Sequence, residues 1–172
     1  MNFTSKKNTN NKGFTLIETM VAISILLLSI SAPLTIASKG LATSYFARDQ
    51  VTAFYLAQDA VEYIRNTRDN NYHLGASWLS SFPDTNGALF TVDTIDGVMG
   101  LCSVDGCGPL DYNSASGFYS QNDTSGSASL FTRSVSIQTI NAHEVIVSVT
   151  VSWSSGTFSR SFSVKENILD WQ

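Results

Sequence analysis

The chain has 172 residues, with 10 Lys and Arg against 14 Asp and Glu, a net charge of −4. Only 14% of residues are charged while 43% are apolar and 11% aromatic, against about 25% charged in an average soluble domain. That balance argues against a basic nucleic-acid binder and against an acidic disordered chain, and the length suits one globular domain with an appended segment. The charge is unevenly placed. Residues 1–13 hold Lys6, Lys7 and Lys12 and no acid, so the remainder carries 7 basic and 14 acidic residues, a net of −7. A basic tip ahead of an acidic body is the pattern of a chain oriented in a membrane.

From Phe14 to Ile36 the sequence reads FTLIETMVAISILLLSISAPLTI, with one charge, Glu18, and one proline, Pro33. As a helix these residues reach about 35 Å, enough for a hydrocarbon core of about 30 Å. The lysines ahead of it predict a single pass with the amino end in the cytoplasm and the rest of the chain outside. A cleaved secretory signal is the alternative, since small residues (Ala37, Ser38, Gly40, Ala42) follow; the run is nevertheless long for a signal and carries a carboxylate near its start. Glu18 has two readings. It snorkels to the near interface, or it waits in the membrane for a cation from another chain, because an unpaired ionised group there costs at least a few kcal/mol.

The run Lys12-Gly13-Phe14-Thr15-Leu16-Ile17-Glu18 resembles the processing site of type IV prepilins and pseudopilins. The resemblance implies cleavage between Gly13 and Phe14 by a membrane prepilin peptidase, and methylation of the new amino terminus. It implies that Glu18 neutralises the Phe14 amine of a neighbouring subunit during filament assembly. Pro33 and Gly40 weaken the helix in or just beyond the span, and family members often lose helix near such a proline on assembly.

Beyond the span, Leu41 to about Arg68 reads as an amphipathic continuation, with Ala47, Phe54, Ala57, Val61 and Ile64 on one apolar stripe. Pairs Glu62–Arg65 and Arg65–Asp69 give weak surface support, and Asp69-Asn70-Asn71 offers a stop. A strand is expected at Ala88–Thr94 with a turn at Asp96-Gly97. Residues 106–129 are loop-like in composition, with no long element. Val145, Val147, Val149, Val151 and Trp153 alternate strictly with Glu144, Ile146, Ser148, Thr150 and Ser152, the pattern of a half-buried strand. Val135 and Ile137 precede it and Phe158, Phe162 and Val164 follow, giving an antiparallel meander through short connections at 141–143 and 154–156. Ile168, Leu169 and Trp171 form an apolar tail for the sheet edge. The V-x-V-x-W strand, the terminal I-L-x-W and the helix segment Ala57–Arg65 are similar to those of minor pseudopilins and minor pilins.

The remaining candidates carry less. Cys102 and Cys107 enclose four residues and read as a disulfide, as free thiols or, least well, as half of a metal site. Asp93, Asp96, Asp105 and Asp111 lie near glycines but lack a calcium-loop pattern, so an ordinary solvated loop is the expectation. His73 and His143 fall in predicted turns, apart from any nucleophile motif, and Asn122-Asp123-Thr124 fits a glycosylation sequon. No catalytic residue, metal site or cofactor is indicated.

The expected protein is thus α+β and pilin-like. A leader occupies 1–13, the transmembrane half of a helix 14–40 and its amphipathic half 41–69. A β-rich head fills 70–172 with a loop at 96–129, so that a helix over about 14–68 packs on a small antiparallel sheet. The resemblance implies a structural subunit, minor rather than major, whose partners are the prepilin peptidase, other pilin-like subunits and a membrane assembly platform. A major pilin, a subunit of a DNA-uptake filament and a membrane-anchored hydrolase or binding domain are the competing readings.

Overall fold

The computed structural model describes residues 13–156 and 158–170. Helix α1 runs from Leu16 to His73 and is followed by seven strands: β1 Phe90–Asp93, β2 Val98–Leu101, β3 Pro109–Asn113, β4 Phe118–Ser120, β5 Ser127–Asn141, β6 Glu144–Ser155 and β7 Phe158–Leu169. The chain divides into two compact units, residues 1–45 and 46–172. In the first, the described helical residues are exposed on every side. The second is the head.

The head is built on β5. All pairings are antiparallel; β6 lies along one side of β5 and β7 along β6. The other side of β5 is shared, with β3 pairing near Thr132 and Ala128 and β1 at Val135. Hairpins β1–β2 and β3–β4 complete the sheet. Alternation decides which side is buried: Val145, Val147, Val149, Val151 and Trp153 of β6 stand in register with Phe131, Val135 and Ile137 of β5 and with Phe162, Val164 and Ile168 of β7. Against this face α1 sets Ala53, Leu56, Ala57, Ala60, Val61 and Ile64. Three alanines at those positions let the helix backbone come close to the strands. Each fully buried Val or Ile contributes about 1.5–3 kcal/mol of transfer free energy.

One row of this apolar face is charged. Arg133, opposite Val151 on β5, has a side chain only 1% exposed. Its Nη1 donates to the Leu56 carbonyl (3.0 Å) and to Asp59 Oδ2 (3.1 Å), and its Nη2 to the Val92 carbonyl (2.6 Å). Beside Val92, Asp93 is buried as well. Its Oδ2 accepts from Ser120 Oγ (2.6 Å) and Gln121 N (2.8 Å), and its Oδ1 from Ile95 N (2.9 Å) and Asp96 N (3.2 Å). Two charged side chains therefore tie α1, β1, β4 and β5 together.

Several expectations are corrected. The helix does not stop near Arg68. Asn71 faces inward, its Nδ2 donating to the Trp78 carbonyl and its Oδ1 accepting from Ser81, so the helix persists to His73 and turns at Gly75 with φ +67°. His73 accordingly ends the helix rather than lying in a turn. The apolar stripe is partly misphased: Ala57, Val61 and Ile64 are buried, but Ala47 and Phe54 are exposed, while Asp49, Ala53, Leu56 and Ala60 are buried instead. Residues 106–129 hold the β3–β4 hairpin and the start of β5, not only loop. Ile168 and Leu169 belong to β7 itself, and Trp171 lies outside the described residues. Arg65 pairs with Glu62 and with Glu166 of β7, whereas Asp69 pairs with Arg68. Asp93 is a buried anchor and not a solvated loop acid.

These contacts set two stability predictions, both read by chemical unfolding of the detergent-solubilised chain followed by tryptophan fluorescence. Arg133→Ala strips hydrogen bonds from two buried carbonyls and is expected to destabilise the head by about 3 kcal/mol or more. Asp59→Asn keeps an acceptor at a half-exposed position but removes the charge paired with the buried guanidinium, and should cost about 1–3 kcal/mol. Burial opposes ionisation of Asp93, but hydrogen bonds from Ser120, Gln121, Asp96 and Ile95 outweigh it and hold its pKa below the usual carboxylate value. Its stabilising contribution is then complete above the unfolded-state pKa and is lost as the pH falls through the lower folded value. Asp93→Asn should flatten that acid limb of the stability curve; an unchanged limb would refute the assignment.

Candidate functional site

At the amino end the described chain begins with Gly13 in non-helical conformation, with open space where a Cβ would lie. Phe14 follows, 81% exposed. Thr15 then caps the helix: its Oγ1 accepts from the backbone N–H of Glu18 at 3.3 Å. Thr15 and Glu18 stand in the spacing of a capping box, a signal present in the sequence that the motif reading passed over. Glu18 lies in the first turn, where the helix dipole favours negative charge. Gly13, Phe14 and Glu18 are all exposed, within about one turn of the helix start. Lys6, Lys7 and Lys12 lie outside the described residues.

The helix beyond is an apolar surface. An 18-residue window within α1 has a mean hydropathy of 2.2 and no residue buried, so by length and composition the segment suffices to cross a bilayer. Its hydroxyls turn inward to the backbone. Ser24, Ser29, Ser31, Thr35 and Ser38 each donate to a carbonyl three or four residues earlier, at 2.8–3.0 Å. Helix α1 continues through Pro33 and Gly40, although Pro33 has no N–H to offer the preceding turn.

In the head, Cys102 and Cys107 form a disulfide with Cα atoms 4.7 Å apart. Ser103 and Gly106 bridge within the loop, Gly106 N donating to the Ser103 carbonyl at 3.0 Å, and Val104 at its tip is wholly exposed. Cys102 N donates to the Leu89 carbonyl at 2.9 Å, which ties the loop to the residue just before β1. His143 sits in the β5–β6 turn with Nδ1 2.6 Å from Asp170 Oδ2, joining that turn to the segment after β7. Asn122 is exposed in the loop before β5. The acids Asp96, Asp105 and Asp111 are not drawn to Asp93 as a ligand set; among the described residues no three His, Cys, Asp or Glu converge on a common point.

The disulfide closes too short a loop to dominate stability. Replacing both cysteines by serine is expected to cost about 2 kcal/mol on loop-closure grounds and to leave the β5–β7 ladder intact, measured by unfolding and by amide exchange across β6.

Residues 8–32 match the family model described as the prokaryotic N-terminal methylation motif. No curated protein and no solved structure matches the chain. The matched segment covers Gly13, Phe14 and Glu18 and runs into the exposed apolar helix. Over residues 8–32, a small part of its length, the chain thus carries the prokaryotic N-terminal methylation motif.

Proposed function

We propose that the chain is a minor structural subunit of a type IV pilus or of a type II secretion-like pseudopilus. One observation carries this reading: the methylation motif coincides with an apolar helix that has no residue of its hydrophobic window buried. Such a helix needs lipid or other helices around it, and both are what a filament subunit meets in turn. The strand ending in Trp153, resembling that of minor subunits, supports the minor assignment.

The residues take the following roles in this reading. Lys6, Lys7 and Lys12 hold the leader in the cytoplasm, which puts the head outside a single-pass inner or cytoplasmic membrane protein. Prepilin peptidase cuts after Gly13, where the lack of a Cβ lets a protease approach the backbone, and leaves a methylated amine on Phe14. Glu18 then neutralises the Phe14 amine of a neighbour as the membrane assembly platform moves the subunit into the filament. Pro33 and Gly40 are the points where the helix gives way on assembly. The net charge of −7 beyond the leader gives no general attraction for nucleic acid.

The reading is tested by the mass of the amino terminus in protein extracted from membranes. A chain starting at N-methylated Phe14, and remaining uncut in a Gly13→Leu variant, is the expected result. An intact Met1, or a start between Ala37 and Thr43, would sink it. Glu18→Gln keeps the capping geometry but removes the charge. It should still be inserted and cut, yet fall roughly tenfold or more in sheared filaments, since a buried unpaired amine costs a few kcal/mol.

A further inference from the structure

An open groove of about 350 Å3 lies in the head between α1 and the β4 end of the β3–β4 hairpin. Its lining includes Tyr55, Phe118, Tyr119, Asp59, Thr52 and Thr94. Two of the rings are held out to solvent rather than packed inward: Tyr55 is 63% exposed and Phe118 58%. Tyr119 is held by a tilted ring contact with Tyr112 at 4.9 Å and an edge-to-face contact with Phe131 at 5.8 Å. The hydrophobic core has no use for the outer two.

The charge of the groove follows from the buried network. Asp59 and Asp93 face one guanidinium, Arg133, so the three groups together carry one surplus negative charge. Asp93 is enclosed, with both oxygens occupied by hydrogen bonds from Ser120, Gln121, Ile95 and Asp96. The surplus is therefore presented at Asp59, whose side chain is half exposed. Its Oδ2 accepts from Arg133 and Thr94. Aromatic faces are electron-rich and attract a cation placed over them, more strongly as water is excluded. An anion is repelled here. A metal ion would require more oxygen ligands than one carboxylate supplies.

We propose that this groove binds a small organic cation, an alkylated ammonium of the choline type. The nitrogen-bearing head lies against Tyr55, Phe118 and Tyr119 and is balanced by Asp59. The proposal does not depend on the filament reading, because every residue involved belongs to the head.

The test is two-dimensional NMR on the full chain, labelled in its tyrosine and phenylalanine rings and held in an uncharged maltoside detergent. It is titrated at constant ionic strength with choline chloride, and separately with the neutral isostere in which a carbon replaces the nitrogen. Choline should shift the ring signals of Tyr55, Phe118 and Tyr119 saturably, and the isostere should bind at least about tenfold more weakly. Phe118→Ala removes an exposed ring without touching the core and should weaken choline about tenfold; Asp59→Asn should weaken it similarly. The absence of saturable shifts, equal binding of the isostere, or choline binding untouched by Phe118→Ala would each overturn the proposal.

Discussion

The head depends on one buried cation. Arg133 occupies a row of the core face where alternation alone would place another valine, and an isolated guanidinium there would be intolerable. It is held because α1 supplies a carbonyl and a carboxylate, and β1 a second carbonyl. A slip of β5 by two residues would keep its apolar side inward but carry Arg133 about 6.6 Å from all three acceptors. Hydrophobic burial makes the helix and sheet adhere; this single side chain fixes where along each other they stop. The hydrogen bonds that Asp93 accepts extend the same constraint to the end of β4, so the least periodic part of the head is tied to its most regular part.

Helix α1 answers two surroundings in turn. From Leu16 to Tyr45 the apolar side chains are exposed on every side of the helix. From Phe46 onward one stripe is buried and the other faces mix polar residues with exposed Val51, Phe54 and Tyr55, with Arg65 reaching Glu166 and Arg68 reaching the Leu169 carbonyl. The change falls where large aliphatic residues give way to alanines at Ala53, Ala57 and Ala60. Bulk serves contact with a fluid or with other helices; small size serves close approach to a sheet.

How much of this was legible follows from where each signal resides. The β6 strand could be read outright, because burial of each alternate residue from Val145 to Trp153 is written locally. The amino-terminal motif was equally plain. Arg133 and Asp93 were missed because a lone charge in a short segment reads as surface, and the partners that make its burial tolerable lie 41 to 77 residues away for Arg133. Strands β3 and β4 were hidden for a related reason: their composition is that of turns, and their order comes from pairing of β3 with β5 and of β4 with β3. The helix stripe was misphased because Phe54 looks like core but stacks on Phe162 at the margin, whereas alanines carry little hydrophobic signal. Asp69-Asn70-Asn71 had the composition of a stop, and the inward hydrogen bonds of Asn71 overrode it.

The serine and threonine hydroxyls of the apolar helix close on their own backbone, and this has a consequence for how freely the segment can change company. A polar side chain that looked outward would have to find a new partner whenever its neighbours changed. Here each of these hydroxyls is already satisfied within its own turn, so replacing hydrocarbon tails by another helix breaks none of their hydrogen bonds. The segment is chemically indifferent between the two, and what decides its position is shape and the charges at its end.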